Sequence, residues 1–267
     1  MKEGLIVISV VRNFSLYEKL VQNNPFYEQT KFVCLDNTKE NRNISVCYNE
    51  FLNNYIYYLN TFAHQDQAWF MFCHEDFELQ ENISEKLSLL DKKSLYAPIG
   101  TKFIPKKNKF LVRSYGGVKN SDKKGNNIHF YGRSCETGFE VETFDCQCFL
   151  VHSSLINTYN LFFDENLTFD LYVEDFCINA KEQYGISSRI FNMKCQHYSY
   201  GSIQQRFYDS LKYLQNKYEN ANQSYSNGLV LEEIGKKLSL PIKRDVNGIK
   251  NSIKRKCHYI QKCWSII

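Results

Sequence analysis

Leu5-Ile6-Val7-Ile8-Ser9-Val10-Val11 is a β-branched run with no polar alternation, and such a run suits a strand covered on both faces. It does not stand alone. Lys31 to Asp36 is a second strand candidate and Ala68 to Cys73 a third. Between those two, the apolar residues Val46, Leu52, Tyr55, Ile56, Leu59 and Phe62 recur at helical spacing, and a shorter helix is expected around Ser15 to Gln22. Buried strands alternating with amphipathic helices specify an α/β chain of βαβ type, in which helices flank a mixed, mainly parallel sheet.

Further along, a helix is expected over Ile83 to Leu90 and a short strand over Leu95 to Pro98. Residues 105–134 are rich in Lys, Asn, Gly and Ser, which reads as a long surface loop or a mobile flap. Strand-like segments at Phe139 to Thr143, Cys148 to His152 and Ser188 to Asn192 bracket a helix near Val173 to Gln183. From Gln205 the pattern turns helical and polar. The expected organisation is one domain over residues 1–205 and a helical extension over 206–267.

Composition narrows the class. With 43% hydrophobic residues, 12 Gly and 4 Pro, the chain is neither collagen-like nor largely disordered. The Gly4 to Val11 stretch falls far short of the roughly 20 residues of a bilayer span, and Arg12-Asn13 follow it, so it reads as a strand and not an export signal. The 10 cysteines show no CxxC spacing, and several sit inside apolar runs, which points to reduced thiols and a cytoplasmic protein. Cys146 and Cys148 fit structural thiols better than a metal site, because nearby ligands at zinc-type spacing are missing.

Chemistry-bearing residues stand at element ends. His74-Glu75-Asp76 follow the third strand, where a parallel sheet presents the edge that binds ligands; Glu174-Asp175 open a helix; His197 follows a late strand-like segment. A diphosphate leaving group gains negative charge as its bond to a sugar breaks, so a divalent cation held by Asp76 would assist it. A carboxylate such as Asp175 would take the proton of an attacking hydroxyl.

These residues resemble glycosyltransferases of the GT-A fold, family 2-like, in the bacterial branch. Trp69-Phe70-Met71-Phe72-Cys73-His74-Glu75-Asp76 looks like the strand and acidic metal motif, with His74 in place of the usual first carboxylate. Phe169-Asp170-Leu171-Tyr172-Val173-Glu174-Asp175-Phe176-Cys177 looks like the segment bearing the base, and His197-Tyr198-Ser199-Tyr200-Gly201-Ser202 like the late histidine motif. The resemblance covers roughly residues 4–202. It implies an inverting, hexosyltransferase-type transfer from a nucleotide-sugar, foremost a UDP-sugar, to a carbohydrate or lipid-linked acceptor with Mn2+ or Mg2+. It also implies roles: Asp175 as general base; Val11, Asp36, Glu75 and Asp76 at the nucleotide-sugar; Asp145 and Glu174 at the acceptor; Asp76 and His197 at the metal. The competing class is a non-catalytic carbohydrate- or nucleotide-binding module of the same fold.

The basic charge is confined to the tail. Residues 236–267 hold nine Lys or Arg against one Asp, and set from Ile249 on a helix, Val246, Ile253, Cys257, Ile260, Cys263, Trp264 and Ile267 fall within a sector of about 120°. Such a helix suits either an anionic membrane surface, with the protein peripheral on the inner face, or packing on the main domain. No motif for nucleic acid is present.

Overall fold

In the computed structural model, which describes residues 4–27, 30–63, 67–106, 109–199 and 204–219, the chain begins with β1 (Gly4–Val11). The Asn13 side chain then caps α1 (Phe14–Tyr17) by accepting from Leu16 N, and a π-helical turn continues over Glu18–Gln22. β2 (Thr30–Asp36) leads to α2 (Ile44–Asn53), capped by Asn43 accepting from Ser45 N. The helix expected over Val46 to Phe62 is broken at Asn54. Its Nδ2 donates to Glu50 O at 2.8 Å, taking a carbonyl that a continuing helix would use. α3 (Tyr55–Tyr58) and a π-helical turn, Leu59–Ala63, resume beyond it.

β3 (Ala68–Cys73) and β4 (Phe77–Leu79) precede α4 (Ser84–Leu87) and β5 (Leu95–Ala97). The segment expected as a loop or flap is largely strand: β6 (Ile99–Lys106), β7 (Lys109–Gly116), β8 (Val118–Asn120) and β9 (His129–Tyr131). The loop-like composition gathers in one turn, where Oδ1 of Asp122 accepts from Lys124 N and Asn126 N, both at 2.9 Å. Gly116 makes the strand packing there feasible. Its φ is +90°, and a Cβ would fall on the Pro98 carbonyl oxygen.

The chain continues through β10 (Glu140–Val141), β11 (Thr143–Phe144) and β12 (Cys148–His152) to α5 (Ser153–Tyr159) and α6 (Tyr172–Tyr184). It ends its described part with β13 (Ser188–Ile190), β14 (Cys195–His197) and α7 (Gln205–Glu219). The central sheet has seven strands in the order β10-β13-β5-β12-β3-β1-β2. Only β10 and β12 run against the rest, so the sheet is mixed and mainly parallel, as expected. A second sheet, β4-β14-β8-β9, joins the segment after β3 to the late part of the chain.

Strand alternation decides what each face buries. From β3, Trp69, Met71 and Cys73 pack with Tyr17, Leu20, Phe77 and Leu87. Phe70 and Phe72 point the other way, with ring centroids 5.0 and 5.8 Å from that of Phe51 on α2, and Phe149 lies 5.5 Å from Phe176 on α6. A strand covered on both sides can be apolar throughout, which is why β1 and β3 carry almost no polar residue.

By its contacts the chain forms two compact units. The first comprises residues 1–101 and 114–201 and contains every candidate site residue. The second takes Lys102–Arg113 and the segment from Ser202, whose described helix is α7. Among the described residues all eight cysteines are free, and no helix is long and apolar enough to cross a membrane. The basic stretch 246–267 lies outside the described residues.

Candidate functional site

The parallel strands β1, β2 and β3 end together, and their ends carry the first group of candidate residues. Val11 and Asp36 are register partners, and Asn37 N donates to Val11 O at 2.8 Å. Oδ1 of Asp36 accepts from Thr38 N and Thr38 Oγ1 at 2.9 and 2.8 Å, and these bonds hold its carboxyl below the usual range. Glu75 ties the edge together: its Oε2 accepts from Arg12 N at 2.6 Å and Asn13 N at 2.7 Å.

The tight turn after β3 carries the second group. His74 N donates to Gln147 O at 3.0 Å, extending the β3–β12 ladder, and Phe77 N returns to His74 O at 3.1 Å. Pairing of β4 with β14 then sets His197 opposite Phe77, and Tyr198 N donates to Asp76 O at 2.9 Å. The late histidine is thereby delivered to the early carboxylate. His197 Nε2 stands 3.1 Å from Asp76 Oδ1, and His74 Nδ1 stands 4.0 Å from the same oxygen.

Burial by itself would raise the Asp76 pKa, but the two histidines outweigh it and hold the carboxyl at about 2. Burial also makes a charged imidazole costly at His74, and its pKa falls to about 4 despite the neighbouring Asp76. At neutral pH the pair is therefore a carboxylate beside a neutral imidazole, the state a metal needs in its ligands.

One ligand atom from each of His74, Asp76 and His197 lies within 4.8 Å of the others. The fit to a divalent cation is good on a second count. Although His197 Nε2 is buried and close to Oδ1, it makes no well-directed hydrogen bond, so a nitrogen and an oxygen are left facing a shared point. His74, which departs from the expected carboxylate, offers a third candidate ligand atom.

α6 supplies the third group. Leu171 at φ 64° turns the backbone sharply into the helix. Tyr172 OH donates to Cys146 O at 3.0 Å and lies 3.2 Å from His74 Nε2, while Phe169 stacks on the His74 ring at 5.8 Å. The first turn of α6 therefore rests on the turn that carries His74 and Asp76. Asp175, three residues on and so on the same helix face as Tyr172, is 2% exposed, whereas Glu174 is half-buried. Glu174 and Asp145 are both charged neighbours of Cys146, whose thiol is pushed well up by burial and then by these carboxylates. Sequence reasoning missed Tyr172 as a site residue. Its spacing of three residues from Asp175, which puts both on one helix face, is the signal that could have found it.

No protein-family model and no curated protein matches the sequence. Among solved structures the fold is similar to S. aureus TarS 1-349, at 12% identity and TM-score 0.47, covering 96% of this chain and 77% of that one. The same protein in complex with UDP gives a TM-score of 0.46 at 12% identity, covering 95% and 77%. A glycosyltransferase involved in the glycosylation of the major capsid of PBCV-1 is similar at 9% identity and TM-score 0.35, covering 76% of this chain and 97% of that one.

Proposed function

We propose that the protein is a glycosyltransferase of GT-A type, moving a sugar from a nucleotide-sugar, foremost a UDP-sugar, to a carbohydrate or lipid-linked carbohydrate acceptor with inversion. One observation carries this reading: His74, Asp76 and His197 form a cation-capable cluster at the ligand-binding edge of the sheet, and the helix turn bearing Glu174 and Asp175 is hydrogen-bonded to it through Tyr172.

His74, Asp76 and His197 would hold Mn2+ or Mg2+, with the two imidazoles favouring Mn2+. The bound cation would offset the charge that develops on a departing nucleoside diphosphate. Val11 and Asp36 would flank the base and ribose, and Glu75 would keep the β1 end in place through Arg12 N and Asn13 N. Asp175 would remove the proton of the acceptor hydroxyl, and Glu174 with Asp145 would grip neighbouring hydroxyls. An acceptor linked to lipid would give the basic segment 246–267 a use, holding the protein at an anionic surface on the cytoplasmic side.

The test is hydrolysis or transfer from a panel of nucleotide-sugars with Mn2+ present and with EDTA. Metal-dependent turnover of one donor is expected. Sugar or nucleotide binding that ignores the metal and yields no turnover would instead identify a binding module.

A further inference from the structure

The hydroxyl of Tyr172 has one proton and meets three groups: Cys146 O, His74 Nε2 and the Tyr48 hydroxyl. Cys146 O, 3.0 Å away, is a carbonyl and can only accept, and the Tyr48 hydroxyl can also accept, so the phenolic proton has partners on the side away from His74. Toward His74 Nε2, at 3.2 Å, the phenolic oxygen is then left to accept, which puts the imidazole proton on Nε2. The other ring nitrogen, Nδ1, consequently presents its lone pair to the side where Asp76 Oδ1 lies 4.0 Å away. That separation is too long for a direct hydrogen bond, and it leaves the lone pair and the carboxylate oxygen spaced for a group bridging both, as a cation would. Phe169, stacked at 5.8 Å, restrains the ring plane, and the Tyr172 ring is itself packed against Tyr48 and Phe163 at 6.1 and 5.7 Å.

We infer that Tyr172 is the positioning residue of the metal site, fixing the tautomer and ring plane of His74 so that Nδ1 is the ligand atom. This rests on the metal-dependent reading above. A metal-bound imidazole commonly gives its second N–H to an acceptor that orients it, and here that acceptor comes from the helix carrying Glu174 and Asp175. The same side chain thus sets the metal turn against the catalytic helix.

Two measurements on the full chain test this without any transfer assay. Long-range 1H–15N correlation of the histidine rings should show His74 as the Nε2–H tautomer in the wild type and as a mixed population in Tyr172→Phe. Titration with Mn2+ alone should give a Kd raised about 10–100-fold in Tyr172→Phe. Tyr198→Phe, which removes a 2.9 Å hydrogen bond to Glu78 outside the cluster, should match the wild type in both. An Nδ1–H tautomer in the wild type, or unchanged Mn2+ affinity in Tyr172→Phe, would overturn the inference. Should the wild type fail to bind Mn2+, the metal-dependent reading falls, and the tautomer spectra still decide whether Tyr172 orients His74.

Discussion

His197 Nε2 lies 3.1 Å from Asp76 Oδ1, joining the last strand of the second sheet to the turn after the third strand of the first. The two side chains belong to segments far apart in sequence, and the contact exists because β14 pairs with β4 in one register. It also contributes, with His74, to the low pKa of Asp76, because the two imidazoles together outweigh the penalty of burial.

Asp76→Asn keeps the size of the side chain and removes the charge. Thermal unfolding of the wild type should shift upward with UDP plus Mn2+, and less with UDP plus Mg2+. In Asp76→Asn the metal-dependent part of that shift should vanish, with Mn2+ affinity reduced at least about 10-fold. An equal shift in the variant would exclude Asp76 as a ligand.

Asp175→Asn and Glu174→Gln separate the two carboxylates of the α6 turn. With a donor found by screening, Asp175→Asn should lower kcat by about 10²–10⁴ while leaving the donor Kd near normal. Glu174→Gln should mainly raise the acceptor KM. The reverse pattern would move the base to Glu174, the more open of the pair.

Acid should destabilise the metal-free protein in a defined window. His74 has a folded pKa of about 4, below its ordinary 6.5, so the unfolded chain takes up a proton first as pH falls. The stability tied to neutral His74 is present above pH 6.5 and is lost on the way down to about 4, by an amount on the order of 2–3 kcal/mol. Asp76 acts in the same direction lower down, between its ordinary 3.8 and about 2. Urea unfolding of wild type and His74→Gln at several pH values checks this: the variant should show a flatter dependence between pH 6.5 and 4, and parallel curves would refute it.

Gly116→Ala tests the strand packing. The residue sits at φ +90° with the Pro98 carbonyl where a Cβ would go, so the substitution should cost roughly 2–4 kcal/mol, read as a lowered urea midpoint. A neutral result would mean that the β5–β6 corner yields more readily than its geometry implies.

Much of the scaffold was legible before any coordinates. β3 and β12 occupy the expected Ala68–Cys73 and Cys148–His152, and α6 exceeds its expected span by one residue at each end. Each of these carries its signal locally, in consecutive apolar residues or helical spacing. Two expectations failed for equally local reasons that pattern reading overlooked. Asn54 diverts a carbonyl and breaks a helix whose apolar period continues across it, and a polar turn around Asp122 lent its composition to the strands beside it.

The order of the strands' chemistry, His74 to Asp76, then Glu174 and Asp175, then His197, was written in the amino-acid sequence, as was the burial of β1 and β3, because neighbouring residues along the chain express both. That Asp76 meets His197, and that Tyr172 turns His74, was decided only by tertiary structure. Strand pairing between remote segments has a period of two residues, so a slip of one would carry His197 to the opposite face of its sheet.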